Sequence, residues 1–127
     1  MKISEKIVKI LKNGGVGILS TDTLYGLVGS ALSKKAVERI YKLKKRGVGK
    51  PFIILISKIS DLKLFEVELN EKEKEVLRRF WPGPISIVLK CPNLTREMSY
   101  LRPLNQTLAF RCPNLKWLNV LLKKTGP

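Results

Sequence analysis

Ser20, Thr21 and Thr23 place three hydroxyls beside the Asp22 carboxylate within residues 18–27, Ile-Leu-Ser-Thr-Asp-Thr-Leu-Tyr-Gly-Leu. Such a run can hold a small polar substrate through short hydrogen bonds, and Gly26 lets the backbone turn or approach a ligand closely. The same residues fit a polar turn bonded to its own backbone equally well. A second group, Lys44, Lys45, Arg46 and Lys50, follows a helical pattern and could grip a polyphosphate with ammonium and guanidinium groups. It is not a P-loop, because the Gly-x-x-x-x-Gly-Lys-Ser/Thr pattern is absent. Cations in the last turn of a helix also complement its dipole, which is the competing account of this group. Thr107 and Arg111 are four residues apart on an apolar strand pattern, so both point to one face, where an arginine can clamp a carboxylate or form a surface ion pair. Trp81, between Phe80 and Pro82, reads as an aromatic hinge under a loop more readily than as a base-stacking platform.

Composition narrows the chemistry. The chain has no histidine, which removes histidine acid/base catalysis, Ser/His and Cys/His triads and histidine metal ligands. Cys91 and Cys112 have neither the spacing of a zinc site nor the density of a disulfide scaffold, and are expected to be ordinary thiols. Against 10 acids stand 25 Lys and Arg, a formal charge of +15 that favours polyanions such as nucleotides or RNA wherever a cleft focuses it. A solvated lysine-rich surface is the plainer account of the same excess. The basic residues Lys6, Lys9 and Lys12 interrupt the apolar pattern of the N-terminus, and no apolar run approaches the roughly 20 residues of a membrane helix. The expectation is a cytoplasmic protein that does not enter a membrane.

The elements that must position these groups follow from spacing. With 127 residues the chain fits one domain, 1–127, able to bury about two-thirds of its unfolded surface. Ile3, Ile7, Ile10 and Leu11 recur at helical spacing, with Ser4 at the start and Gly14 past the end. Val16, Ile18 and Leu19 read as a strand that exits into the hydroxyl-rich run, and Leu27, Val28 and Ala31 as a second extended piece. Ser33 should cap a helix whose apolar side is Val37, Ile40, Tyr41 and Leu43. Residues 52–56 form a continuous apolar run, which predicts a strand buried on both faces. Asn70 should cap a helix running to Phe80, stopped by the Trp81-Pro82-Gly83-Pro84 turn. Strands are expected at 85–89 and 107–111, a long loop at 91–105, and a helix from Leu115. Several connections are too short for crossovers, so the fold class is α/β (α+β) with an open, twisted, mixed sheet flanked by helices.

Four blocks carry a resemblance. Ser-Thr-Asp-Thr-Leu-Tyr-Gly-Leu from Ser20, Lys-Lys-Arg-Gly-Val-Gly-Lys-Pro from Lys44, Trp-Pro-Gly-Pro-Ile-Ser-Ile-Val-Leu-Lys from Trp81 and Thr-Leu-Ala-Phe-Arg-Cys-Pro from Thr107 resemble the YrdC-type threonylcarbamoyl-adenylate synthase family. The resemblance implies a YrdC-like open α/β fold with a basic concave face. It also implies a reaction joining L-threonine, bicarbonate and ATP, with Mg2+ carried by the ATP and no metal site of the protein's own, for threonylcarbamoyl modification of tRNA.

By the same resemblance, Thr23 and Arg111 contact threonine, Lys44 and Arg46 face the ATP phosphates in a catalytic role, and Lys50 and Thr107 contact ATP. Partner proteins of threonylcarbamoyl transfer, tRNA and double-stranded RNA are its expected macromolecules. Two other readings stay open: a double-stranded RNA-binding module without catalysis, and the related domain of hydrogenase-maturation carbamoyltransferases. The chain departs from the family at Ser20 and Gly47, where proline is usual, and at Leu55, where many members have histidine. It stops at Thr125-Gly126-Pro127, before the family's Ser-Ala-Asn block, so the domain is expected to be incomplete at its C-terminal end.

Overall fold

In a computed structural model, residues 5–21, 25–44 and 52–127 are described. The first helix, α1 (Glu5–Lys12), ends at Gly14, whose φ of 85° needs a residue without a Cβ. Strands β1 (Val16–Ser20) and β2 (Tyr25–Gly29) then pair antiparallel, from Val16 opposite Gly29 to Ser20 opposite Tyr25. Ser20 is therefore the last paired residue, and Thr21 opens the hairpin connection. Ser33 caps α2 (Lys34–Lys44) as expected: its hydroxyl accepts the Ala36 N–H at 3.2 Å.

The second sheet is built from β3 (Ile53–Leu55), β4 (Ile87–Lys90) and β5 (Thr107–Arg111) in the order β3-β5-β4. β3 runs parallel to β5 and β4 antiparallel to it, so the sheet is mixed, as the short connections require. Among the described residues it is separate from the hairpin. Asn70 caps α3 (Glu71–Phe80) with a full capping box: its side chain accepts from the Glu73 N–H at 2.8 Å, and Glu73 accepts from the Asn70 N–H at 3.1 Å. The last helix is α4 (Lys116–Thr125). No helix among the described residues is long and apolar enough to cross a membrane.

Two clusters hold the elements together. The larger surrounds Phe65 and Phe110, whose rings lie 5.4 Å apart, with Ile56, Leu62, Leu77, Trp81 and Leu108 packed around them. The smaller joins α1 to α4 through Leu11, Leu118, Leu121 and Leu122.

Four expectations are corrected. Ile7 and Ile10 are exposed, because α1 meets α4 through Val8 and Leu11 and turns the other two outward; Ile3 and Ser4 lie outside the described residues. Leu43 is exposed while Val37, Ile40 and Tyr41 are buried, since α2 ends where the core stops. The apolar run 52–56 is not covered on both faces: among the described residues β3 is an edge strand paired only to β5, and Ile53 is 51% exposed. The long loop is partly regular, with a 3-10 helix at Arg96–Leu101 anchored by buried Leu101 and by Tyr100, whose hydroxyl donates to the Ala31 carbonyl at 2.7 Å. A second 3-10 helix, Ile59–Phe65, places Leu62 and Phe65 in the core.

Candidate functional site

A cavity of about 440 Å³ is lined from both sheets and from α2 and α4. Three sequence-predicted groups meet on its wall. Thr21 comes from the hairpin connection, Lys44 from the end of α2, and Arg111 from the end of β5. Their convergence follows from local structure. Hairpin pairing ends at Ser20 and delivers Thr21 to the rim, the last turn of α2 carries Lys44, and β5 is held centrally so that its end reaches the cavity.

Arg111 is 5% exposed, which rules out the surface ion pair. Its Nη1 donates to the Gly83 carbonyl at 3.4 Å, a contact supplied by the turn after α3. A buried guanidinium must be matched by acceptors, and its planar fork of five N–H donors fits a carboxylate in two-point fashion. Gly83 is held in turn by β5's own exit, because its N–H donates to the Cys112 carbonyl at 2.8 Å. Trp81 is buried and its Nε1 donates to the Ile85 carbonyl at 2.7 Å, so this aromatic is a hinge of the same turn and offers no face to a base.

Thr107 shares a strand face with Arg111 but does not line the cavity. Its hydroxyl donates to the Leu104 carbonyl at 2.6 Å. Thr23, Arg46 and Lys50 lie outside the described residues, as do Asp22 and Lys45. Neither cysteine is in a disulfide and both are buried, and burial pushes the Cys91 thiol up, which keeps it protonated and unreactive at neutral pH.

Two aromatic residues of the site were not singled out by pattern as functional. Phe52, just before β3, and Tyr41 both line the cavity, and their ring centroids lie 4.3 Å apart. Tyr41 and Lys44 are three apart on α2 and so share a helix face, a spacing from which their proximity is legible. Tyr25 also lines the cavity, 80% exposed.

The family model described as telomere recombination, that of Sua5, YciO and YrdC, matches residues 9–127. The chain belongs to this family. A Methanocaldococcus jannaschii relative is 36% identical over 89 residues, which are 70% of this chain and 42% of the relative. The threonylcarbamoyl-AMP synthase of Bacillus subtilis is 31% identical over 123 residues, 92% of this chain and 34% of the relative. The crystal structure of Pyrococcus abyssi Sua5 complexed with L-threonine superposes with a TM-score of 0.81 at 28% identity, covering 98% of this chain and 37% of that one. The YrdC-like fold expected from the four blocks is therefore established. The chain spans less than half the length of each of these three relatives.

Proposed function

We propose that this chain carries the substrate-facing part of a threonylcarbamoyl-AMP synthase. The observation that supports this most directly is the meeting of Thr21, Lys44 and Arg111 on one cavity wall, a hydroxyl, an ammonium and a guanidinium drawn from three distant parts of the sequence. Arg111 grips the threonine carboxylate, and the hydroxyl run containing Thr21 and Thr23 orients the rest of the amino acid. The threonine amine takes up bicarbonate with loss of water to give a carbamate. A carbamate oxygen attacks the α-phosphorus of ATP, forming threonylcarbamoyl-AMP and releasing pyrophosphate. Lys44 and Arg46 neutralise the charge building on the departing pyrophosphate, while Lys50 and Thr107 contact ATP. Mg2+ comes with the ATP phosphates. Positioning and charge neutralisation supply the rate, and neither needs histidine.

The product serves modification of tRNA in the cytoplasm, and the +15 charge suits a polyanionic acceptor or RNA ligand. Titration calorimetry with Mg-ATP tests the reading. ATP binding that tightens in the presence of threonine and bicarbonate is the expected result. ATP binding indifferent to both, together with RNA binding that weakens steeply with salt, overturns it in favour of an RNA-binding module.

A further inference from the structure

Lys44 stands at one end of a column of side chains from three separate elements. Its Nζ lies 5.8 Å from the centroid of the Phe52 ring. Phe52 packs on Tyr41 at 4.3 Å with the rings tilted by 39°. Tyr41 in turn carries Arg102, whose Cζ lies over its ring at 4.0 Å from the centroid. The order is thus cation, ring, ring, cation. Tyr41 is 3% exposed and its hydroxyl donates to the Leu101 carbonyl at 3.3 Å, which fixes the middle of the column against the 3-10 helix Arg96–Leu101. Arg102 sits at φ 54° and ψ 58°, a left-handed conformation that non-glycine residues rarely adopt, and its N–H donates to the Ser99 carbonyl at 2.9 Å.

A lysine ammonium on a four-carbon stem is free to sweep a large volume, and a ring face beneath it narrows that volume at little desolvation cost. Lys44, Phe52 and Tyr41 all line the cavity, so this restriction acts at its wall. We propose that Phe52 is a positioning residue for Lys44: the ring, backed by Tyr41 and Arg102, holds the ammonium where an entering phosphate meets it. This deepens the reading that Lys44 faces ATP phosphates and rests on it. It also gives the segment between β4 and β5 a stake in the site, because Arg102 belongs to that segment.

The full chain tests this with two readouts. In proton NMR, the ε-methylene resonances of Lys44 should be shifted upfield by the ring, lose that shift in Phe52→Leu and keep it in Phe52→Tyr. In titrations with inorganic tripolyphosphate, Phe52→Leu should bind about two- to fivefold more weakly, Phe52→Tyr should bind as the parent does, and Phe52→Leu should have no further effect in a Lys44→Met background. Arg102→Met, outside the cavity, should weaken binding in the same direction by less, and it carries the test if Phe52→Leu fails to fold. A Lys44 resonance insensitive to Phe52, or an equal loss from Phe52→Leu with and without Lys44, overturns the proposal. Should Lys44→Met leave tripolyphosphate binding untouched while the ring shift behaves as stated, the column stands and the phosphate role of Lys44 falls.

Discussion

The hairpin β1-β2 and the sheet β3-β5-β4 face the same cavity but are anchored very differently. None of the hairpin's strand residues is fully buried, and Ile18 and Tyr25 are 72% and 80% exposed. In β5, by contrast, Leu108, Phe110 and Arg111 are all buried. The difference separates two jobs. The three-stranded sheet is a firm wall that fixes a buried guanidinium, whereas the hairpin is a lightly held wall that brings the Thr21 hydroxyl to the cavity. Burial of apolar area stabilises the first roughly in proportion to that area, and the second depends more on its strand pairing and on α2 beneath it.

The contrast breaks most readily at its firm side. Phe110→Ala removes a fully buried ring at the centre of the large cluster and should cost about 3–5 kcal/mol in urea unfolding. Leu121→Ala, in the small cluster between α1 and α4, should cost about 2 kcal/mol, the low end for a buried leucine, because fewer neighbours lose contact. A larger loss from Leu121 than from Phe110 would reverse the ranking of the two clusters. Asn70→Ala removes the α3 cap and should cost about 1 kcal/mol.

The smallest effect is a pH dependence. Burial pushes the Tyr100 hydroxyl above its ordinary value of 10.0. The unfolded chain therefore releases this proton first, and the stabilising contribution, present below pH 10.0, is lost as the pH rises toward the folded value. Urea midpoints measured between pH 9 and 11 should fall less steeply in Tyr100→Phe than in the parent.

What was legible in the sequence was mostly local. Ser33 and Asn70 cap helices through bonds to residues three positions away, so their roles are written within one turn. The bounds of β5 follow from its apolar alternation, and the end of α3 from the Trp-Pro-Gly-Pro run. What depended on partners was not legible. The exposure of Ile53 comes from β3 lying at a sheet edge, which no pattern within 52–56 encodes. The 3-10 helix at Arg96–Leu101 owes its order to Tyr100 and Leu101 meeting distant elements, and a short run of mixed polar and apolar residues gives no sign of that.

The candidate site divides along the same line. Thr107 and Arg111 do share a face, but four strand residues span roughly 13 Å, too far for both to reach one small cavity. That Arg111 is the buried member could be seen only once β5 was flanked on both sides. Phe52 read as an ordinary strand residue because its partner Lys44 lies across the 45–51 segment.

Gly83 receives Arg111 on its carbonyl while its N–H is tied to Cys112, and a Cβ at this position would meet the Phe80 carbonyl oxygen at 2.8 Å. The guanidinium is thus moored to a turn that has no slack of its own. Adding even one methyl to that turn would displace the carbonyl that receives Arg111, and with it the guanidinium on the cavity wall. The place of a side chain on the cavity wall is in this sense set by a residue that does not itself line the cavity.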